Sequence, residues 1–160
     1  MEVLTTPCFV VDAALGRLAK WLRIAGFDTI YDPSLSLAVA EFYIEAGKTL
    51  LTRKATLFDV LKGENVIYIQ SDHYQEQLRE VIRATGLESK HFKPFSRCTV
   101  CNLSTVNVSR TAVAERVPDY IRENVDTFFI CHGCKRVYWR GSHSSNAVSY
   151  THLRAHETGR

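Results

Sequence analysis

No stretch of this chain approaches the 18 or so apolar residues that a bilayer-spanning helix needs. The start, Met1-Glu2-Val3-Leu4, lacks the basic-then-apolar plan of a secretory signal. A membrane span and export are thereby set aside, and a cytoplasmic protein is expected. Internal repeats and low-complexity tracts are missing as well, which argues against a repeat array. An excess of one charge is also lacking: 20 Lys/Arg face 17 Asp/Glu, for a formal net charge of +3. With 46% hydrophobic and 23% charged residues the chain is too apolar to stay disordered. Its 160 residues suffice for one ordinary domain, or for a domain of about 90 to 100 residues plus a small module that needs a staple. The second arrangement is expected, and the charge is uneven as well. Residues 1–90 carry 10 Lys/Arg against 12 Asp/Glu, while residues 91–160 carry 10 against 5. A basic C-terminal part attracts polyanions, nucleic acid among them, though a merely solvated basic surface reads the same way.

The first 90 residues alternate strand and helix signals. The apolar run Cys8-Phe9-Val10-Val11 ends at Asp12 and precedes Leu15, Leu18, Leu22 and Ala25 at helical spacing. Gly26 then stands where a helix end wants positive φ, and Thr29-Ile30-Tyr31 resumes strand character. Next come a helix over Leu37 to Glu45, a stop at Gly47, a strand over Thr49 to Thr52 and a weaker helix over Ala55 to Leu61. Val66 to Ile69 reads as a further strand, and Asp72 with Gln75 as the capping box of a helix that Gly86 closes. This alternation predicts an α/β fold, a parallel sheet covered by helices on both faces. Near Lys93-Pro94-Phe95-Ser96 the alternation stops, so the expected divisions are residues 1–93, 94–146 and a tail, 147–160. The tail has no apolar periodicity and is set aside as non-native or disordered.

Two Cys-x-x-Cys pairs, Cys98/Cys101 and Cys131/Cys134, stand 29 residues apart. That spacing lets both sulfurs of each pair reach one tetrahedral ion at about 2.3 Å, and two such knuckles complete the shell of a structural Zn2+. A disulfide pair or a thiol redox site are the other readings. The first is disfavoured in a reducing compartment, and the second needs a strand-to-helix turn that neither pair occupies. A gap of this length calls for an inserted hairpin or helix, with Thr111 to Arg116 the candidate segment. The fifth cysteine, Cys8, reads as a small buried hydrophobe.

Chemistry in open parallel sheets collects at the carboxyl ends of the strands. Asp12 follows the first strand and Asp72 the fourth, while Glu41 and Glu45 lie on an intervening helix. Grouped carboxylates bind Mg2+ or Mn2+ and so activate water against a phosphodiester. Both aspartates also precede helices, where capping is the ordinary role of the residue.

The residues quoted so far, taken in order, resemble one family. Phe9-Val10-Val11-Asp12, Leu15-Gly16-Arg17-Leu18-Ala19-Lys20-Trp21-Leu22-Arg23, Gly26-Phe27-Asp28-Thr29 and Leu50-Leu51-Thr52-Arg53 are similar to the Mut7-C RNase domain. So are Glu76 to Val81, Phe95-Ser96-Arg97-Cys98 with Cys101-Asn102, and Cys131 through Tyr138-Trp139-Arg140-Gly141-Ser142-His143. The resemblance implies a PIN-like nuclease fold with a C-terminal zinc ribbon, acting as a divalent-metal-dependent endoribonuclease. It places Asp12 as the first acid of the site and Asp72 as the last, with Mg2+ or Mn2+ as the catalytic ion; Glu41 or Glu45 is the remaining candidate among the carboxylates. Two departures stand out. The family's Leu-Thr-Arg-Asp ends here in Lys54, and the acid that the family carries near Ser36 is absent. An ammonium at a metal position repels a dication, so a non-cleaving RNA-binding module is the alternative function. Arg17, Lys20 and Arg53, and in the ribbon Arg136 and Arg140, are the expected RNA contacts. Trp21, Tyr138 and Trp139 lie among them, and such mixtures suit single-stranded RNA; the two tryptophans read equally as core.

Overall fold

The computed structural model describes residues 6–61, 63 and 65–140. The chain divides into two compact units. One holds the described residues up to Arg23 together with Phe27–Phe92; the other holds Ile24–Gly26 and the described residues from Lys93 onward. The tail and the segment Gly141-Ser142-His143 lie outside the described residues.

In the first unit the elements follow in the order β1 (Phe9–Val11), α1 (Gly16–Ile24), β2 (Thr29–Tyr31), α2 (Leu37–Glu45), β3 (Thr49–Thr52), α3 (Ala55–Leu61), β4 (Val66–Tyr68) and α4 (Tyr74–Thr85). The four strands form one parallel sheet in the order β2-β1-β3-β4. Strands buried on both faces favour unbroken apolar runs, and Phe9, Val10 and Val11 are all fully buried. Successive side chains point to opposite faces. Val10, Leu50 and Val66 are register partners and share a core cluster with Leu35, Ala40 and Leu57; Tyr43, Ile44, Phe58 and Leu61 pack against it from α2 and α3. Phe9 belongs to the alternate set and meets Phe27 edge-on, with ring centroids 5.8 Å apart.

Two glycines are required by their backbone. Gly86 ends α4 in the left-handed conformation, φ 73°, as its position after Thr85 leads one to expect. Gly26 takes φ 103°, and a Cβ there would lie 2.5 Å from the carbonyl oxygen of Lys93. The start of α4 departs from expectation. Its N-cap is His73 rather than Asp72, no side chain caps it, and the Asp72–Gln75 capping box is not formed. The His73 amide instead donates to Ser71 Oγ at 3.0 Å. Cys8 differs too: it is half-buried and accepts a hydrogen bond from Lys48 Nζ at 3.4 Å.

The second unit is built on an antiparallel sheet of β5 (Thr105–Val108), β6 (Phe128–Cys131) and β7 (Val137–Trp139). A seven-residue 3-10 segment, Arg110–Arg116, and α5 (Asp119–Asn124) fill the interval between the cysteine pairs. The candidate residues Thr111 to Arg116 thus form a helix rather than a hairpin, wound more tightly than an α-helix. Val113, Val117, Ile121, Val125 and Phe128 make a small core, completed by Val108, Val137 and Trp139. Val108, Phe128 and Trp139 stand in one row across the three strands.

Candidate functional site

Each cysteine pair folds into the same turn. In the first, the Asn102 amide donates to the Cys98 carbonyl at 3.0 Å and the Cys98 amide to the Leu103 carbonyl at 2.8 Å. In the second, Lys135 donates to the Cys131 carbonyl at 2.9 Å and Cys131 to the Arg136 carbonyl at 3.0 Å. Asn102 and Lys135, each directly after a second cysteine, both take positive φ, 61° and 65°. The turn aims amides at the first sulfur of each pair: Val100 and Cys101 at Cys98 Sγ, both 3.4 Å, and Gly133 at Cys131 Sγ, 3.3 Å. Amides so placed offset thiolate charge, which is what a metal-ligating sulfur needs.

The four sulfurs lie within 4.8 Å of one another, and Cys98 and Cys134 are 3.6 Å apart. Ligands at about 2.3 Å from a tetrahedral ion stand just under 4 Å apart, so the spacing and the all-sulfur donor set fit Zn2+. Held by Cys98, Cys101, Cys131 and Cys134, the ion would have no open position and would act as a structural cross-link. In the metal-free fold the crowding separates the thiols. The hydrogen bond to Cys134 is the largest of several effects that push Cys101 up to about 12. Burial raises Cys98. Burial also works against ionisation of Cys134, but the hydrogen bonds from Arg136 outweigh it and bring that thiol down to about 6. Tyr138, on β7, is raised mainly by burial and next by its hydrogen bond to Cys98.

The first unit carries the other expected site. In the order β2-β1-β3-β4 the chain turns one way from β1 to β2 and crosses back to β3, so the switch point lies between β1 and β3. Asp12 follows β1 there and is fully buried. Its Oδ1 accepts from the Ala14 amide at 3.1 Å, capping a short 3-10 turn, Ala13–Leu15. Its Oδ2 accepts from Thr52 Oγ1 at 2.5 Å and from the Arg53 amide at 3.2 Å, both at the end of β3. Asp12 thus ties β1 to β3 while also capping.

Arg53 is turned inward. Its Nη1 donates to the carbonyls of Ile69 (3.4 Å), Gln70 (2.7 Å) and Ser71. Glu80 accepts from the amides of Gln70 and Ser71 at 2.8 and 2.9 Å, and Gln77 Nε2 donates to the Ser71 carbonyl at 2.9 Å. The segment after β4 is gripped on both edges, a role for Arg53, Gln77 and Glu80 that depends on tertiary approach and leaves no mark in spacing. The carboxylates do not converge. Asp72 pairs with His73 at 3.6 Å, both side chains 79% exposed, and Glu41 and Glu45 are exposed on α2. Among the described residues only the four cysteines form a group of three or more ligands able to share a metal. With Lys54 exposed at the end of β3, no three side-chain ligands for Mg2+ or Mn2+ stand together among the described residues. One acid that the sequence reading passed over, Asp32, follows β2 directly; its amide bonds the Val11 carbonyl at 3.0 Å and its Oδ1 accepts from the Ser34 amide at 3.0 Å. Its signal was the same as that of Asp12, an acid at a strand's carboxyl end.

Of the expected RNA contacts, Arg17, Arg136 and Arg140 are exposed and Lys20 is half-buried. Arg17 lies over the Tyr74 ring, 5.0 Å from its centroid, and lines a pocket of about 160 Å3 with Ala14, Asp72, His73, Tyr74, Gln75 and Gln77. Trp21 is buried and stacks on Tyr74 at 5.4 Å, so it serves the core; Tyr138 is buried as well, and Trp139 packs in the ribbon core.

Compared with known protein families, residues 7–151 match the Mut7-C RNAse domain. The chain belongs to that family. No curated protein and no solved structure matches it. Membership in Mut7-C points to a nuclease lineage and to RNA as the substrate class, and the four-cysteine group of this member can form a zinc ribbon. Among the described residues no helix is long and apolar enough to cross a membrane.

Proposed function

We propose that this Mut7-C protein binds single-stranded RNA at the carboxyl edge of its parallel sheet without cleaving it. One observation carries the reading. At the switch point the acid, Asp12, is buried with both oxygens already hydrogen-bonded, while of the exposed groups nearby in sequence and fold Arg17 and Lys54 are cationic and Gln75 is an amide, against one exposed acid, Asp72. A polyanion is attracted to the two cations, and among the described residues no three carboxylates gather for a dication. The Zn2+ of the ribbon is structural in this reading, and Arg136 and Arg140 add cationic surface.

The second reading is a divalent-metal-dependent endoribonuclease with Asp12 as principal ligand, Asp72 assisting and Glu41 possible. Glu45 is the other candidate in this reading, which is favoured by the family and by the place of Asp12 at the switch point.

Anisotropy of a labelled single-stranded RNA separates the two. Binding in EDTA is expected to weaken with KCl, with a log–log slope of about −0.7 per phosphate contact, and Arg17→Ala is expected to flatten that slope by about 0.7. Binding that ignores salt, or that needs Mn2+, sinks the first reading. Incubation of the same RNA with Mn2+ should leave it intact; cutting that Asp12→Asn abolishes, in a variant shown to be folded, establishes the second.

A further inference from the structure

Tyr138 is only 3% exposed, so its ring is not a stacking platform for a base. Its Oη stands 3.2 Å from Cys98 Sγ, 3.2 Å from the Thr99 amide and 3.2 Å from Thr99 Oγ1. The amide can only donate, so it occupies a lone pair of the phenol oxygen. The phenol hydrogen then has two acceptors within reach, the Cys98 sulfur and the Thr99 hydroxyl. A thiolate is a charged acceptor and outcompetes a neutral hydroxyl. Once Cys98 is ionised to bind a metal, the hydrogen belongs on sulfur.

We propose that Tyr138 is a positioning residue of the zinc centre: its hydroxyl holds the Cys98 thiolate in place and draws off part of its charge, and so sets how tightly the metal is retained. Four thiolates around a dication leave two net negative charges, and Cys98 and Cys131 are the two fully buried sulfurs among the four. Water does not replace a lost donor at a buried sulfur, so the loss is felt in full. Cys98 takes two amides and the phenol, whereas the equivalent sulfur of the other turn, Cys131, takes the Gly133 amide. Groups that hydrogen-bond a ligand atom typically change metal affinity about 10- to 100-fold when removed. The inference does not depend on RNA binding.

The test uses the full chain and the metals alone. In Tyr138→Phe the ring stays and the hydroxyl goes. Chelator competition is expected to show Zn2+ held about 10- to 100-fold less tightly. With Co2+ in place of Zn2+, the sulfur-to-metal charge-transfer band is expected at longer wavelength, because a thiolate lone pair without its hydrogen bond is higher in energy. An affinity within twofold of wild type overturns the proposal. So does an affinity loss with an unmoved band, since that outcome assigns the effect to ring packing. If Tyr138→Phe does not fold even with excess Zn2+, Thr99→Val decides. With the phenol hydrogen on sulfur, the Thr99 hydroxyl can only donate to the phenol oxygen; its loss makes the phenol a weaker donor and is expected to move the Co2+ band to longer wavelength, and a band that stays or moves to shorter wavelength refutes the hydrogen bond to sulfur.

Discussion

Loading zinc should release at least two protons near neutral pH. Zinc binds thiolates, so every thiol still protonated in the metal-free fold must give up its proton on binding. Burial holds Cys98 above the ordinary thiol range, and the hydrogen bond to Cys134 leads the effects that push Cys101 up to about 12. Cys134, resisted by burial but favoured by Arg136, lies at about 6. At about pH 7.5 Cys98 and Cys101 therefore carry protons, and Cys134 does not. The sign follows directly. A raised thiol keeps its proton in competition with zinc across the neutral range, so acid weakens binding and alkali strengthens it. The logarithm of the affinity should climb by at least two for each pH unit between about 6.5 and 8, because the slope equals the protons released. Below about pH 6 Cys134 also protonates, and the slope should steepen by about one more. Calorimetric titration in phosphate and in Tris at one pH measures the count, since the enthalpy difference between buffers divided by the difference in their ionisation enthalpies is the number of protons. A count of one or less, or an affinity that is flat over that range, refutes the reasoning.

Chelating the zinc should open the ribbon core around Trp139, read as a red shift of its emission in a Trp21→Phe background; unchanged emission would show a core that stands without metal. Thr52→Val removes a hydrogen bond to the buried Asp12 carboxylate and should cost about 1.5 to 3 kcal/mol in urea unfolding, against an unshifted midpoint if that bond is idle. Leu50→Ala, at the centre of the β1-β3-β4 row, should cost about 2 to 5 kcal/mol by the same measurement. Gly26→Ala forces a Cβ to within 2.5 Å of a carbonyl oxygen at φ 103° and should lower the melting temperature, by more than the change that Gly47→Ala produces in open space.

The elements of the first unit were legible because each is bounded by residues with one job. The run Thr49–Thr52 is preceded by Gly47, and α2 opens on Ser36, whose side chain accepts from the Val39 amide. The zinc turns were legible because two-residue spacing admits few geometries. What stayed hidden depends on atoms brought together from afar. Arg53 has the look of a surface cation, and only the approach of the segment after β4 turns its guanidinium onto three carbonyls. Tyr138 alternates like any strand residue, and which sulfur its hydroxyl meets is set by the register of β6 and β7 together with the first cysteine turn. Asp72 looked like a cap, but the preference of a residue type cannot say which of two neighbours, Asp72 or His73, takes the cap position.

Asp12 shows why capping and metal binding were not separable from sequence, and why restoring one acid is the sharper test of the nuclease reading. A carboxylate offers about four lone-pair sites. Three are taken, by Ala14, Thr52 and Arg53, so Asp12 can cap, tie β1 to β3 and still present one site. Asp12→Asn places an amide where two donors already point, so a variant that loses stability along with activity does not separate the two readings. Lys54→Asp leaves those bonds alone, since Lys54 is exposed and its amide, not its side chain, bonds Thr52 Oγ1 at 3.0 Å. The exchange also turns a repelling ammonium into a second carboxylate at the end of β3. Two carboxylates hold a dication weakly, so Mn2+-dependent cutting of single-stranded RNA is expected to appear only at millimolar Mn2+, with stability little changed. If Lys54→Asp stays inert at saturating Mn2+ while remaining folded, the nuclease reading fails, with the buried, hydrogen-bonded state of Asp12 as the physical reason.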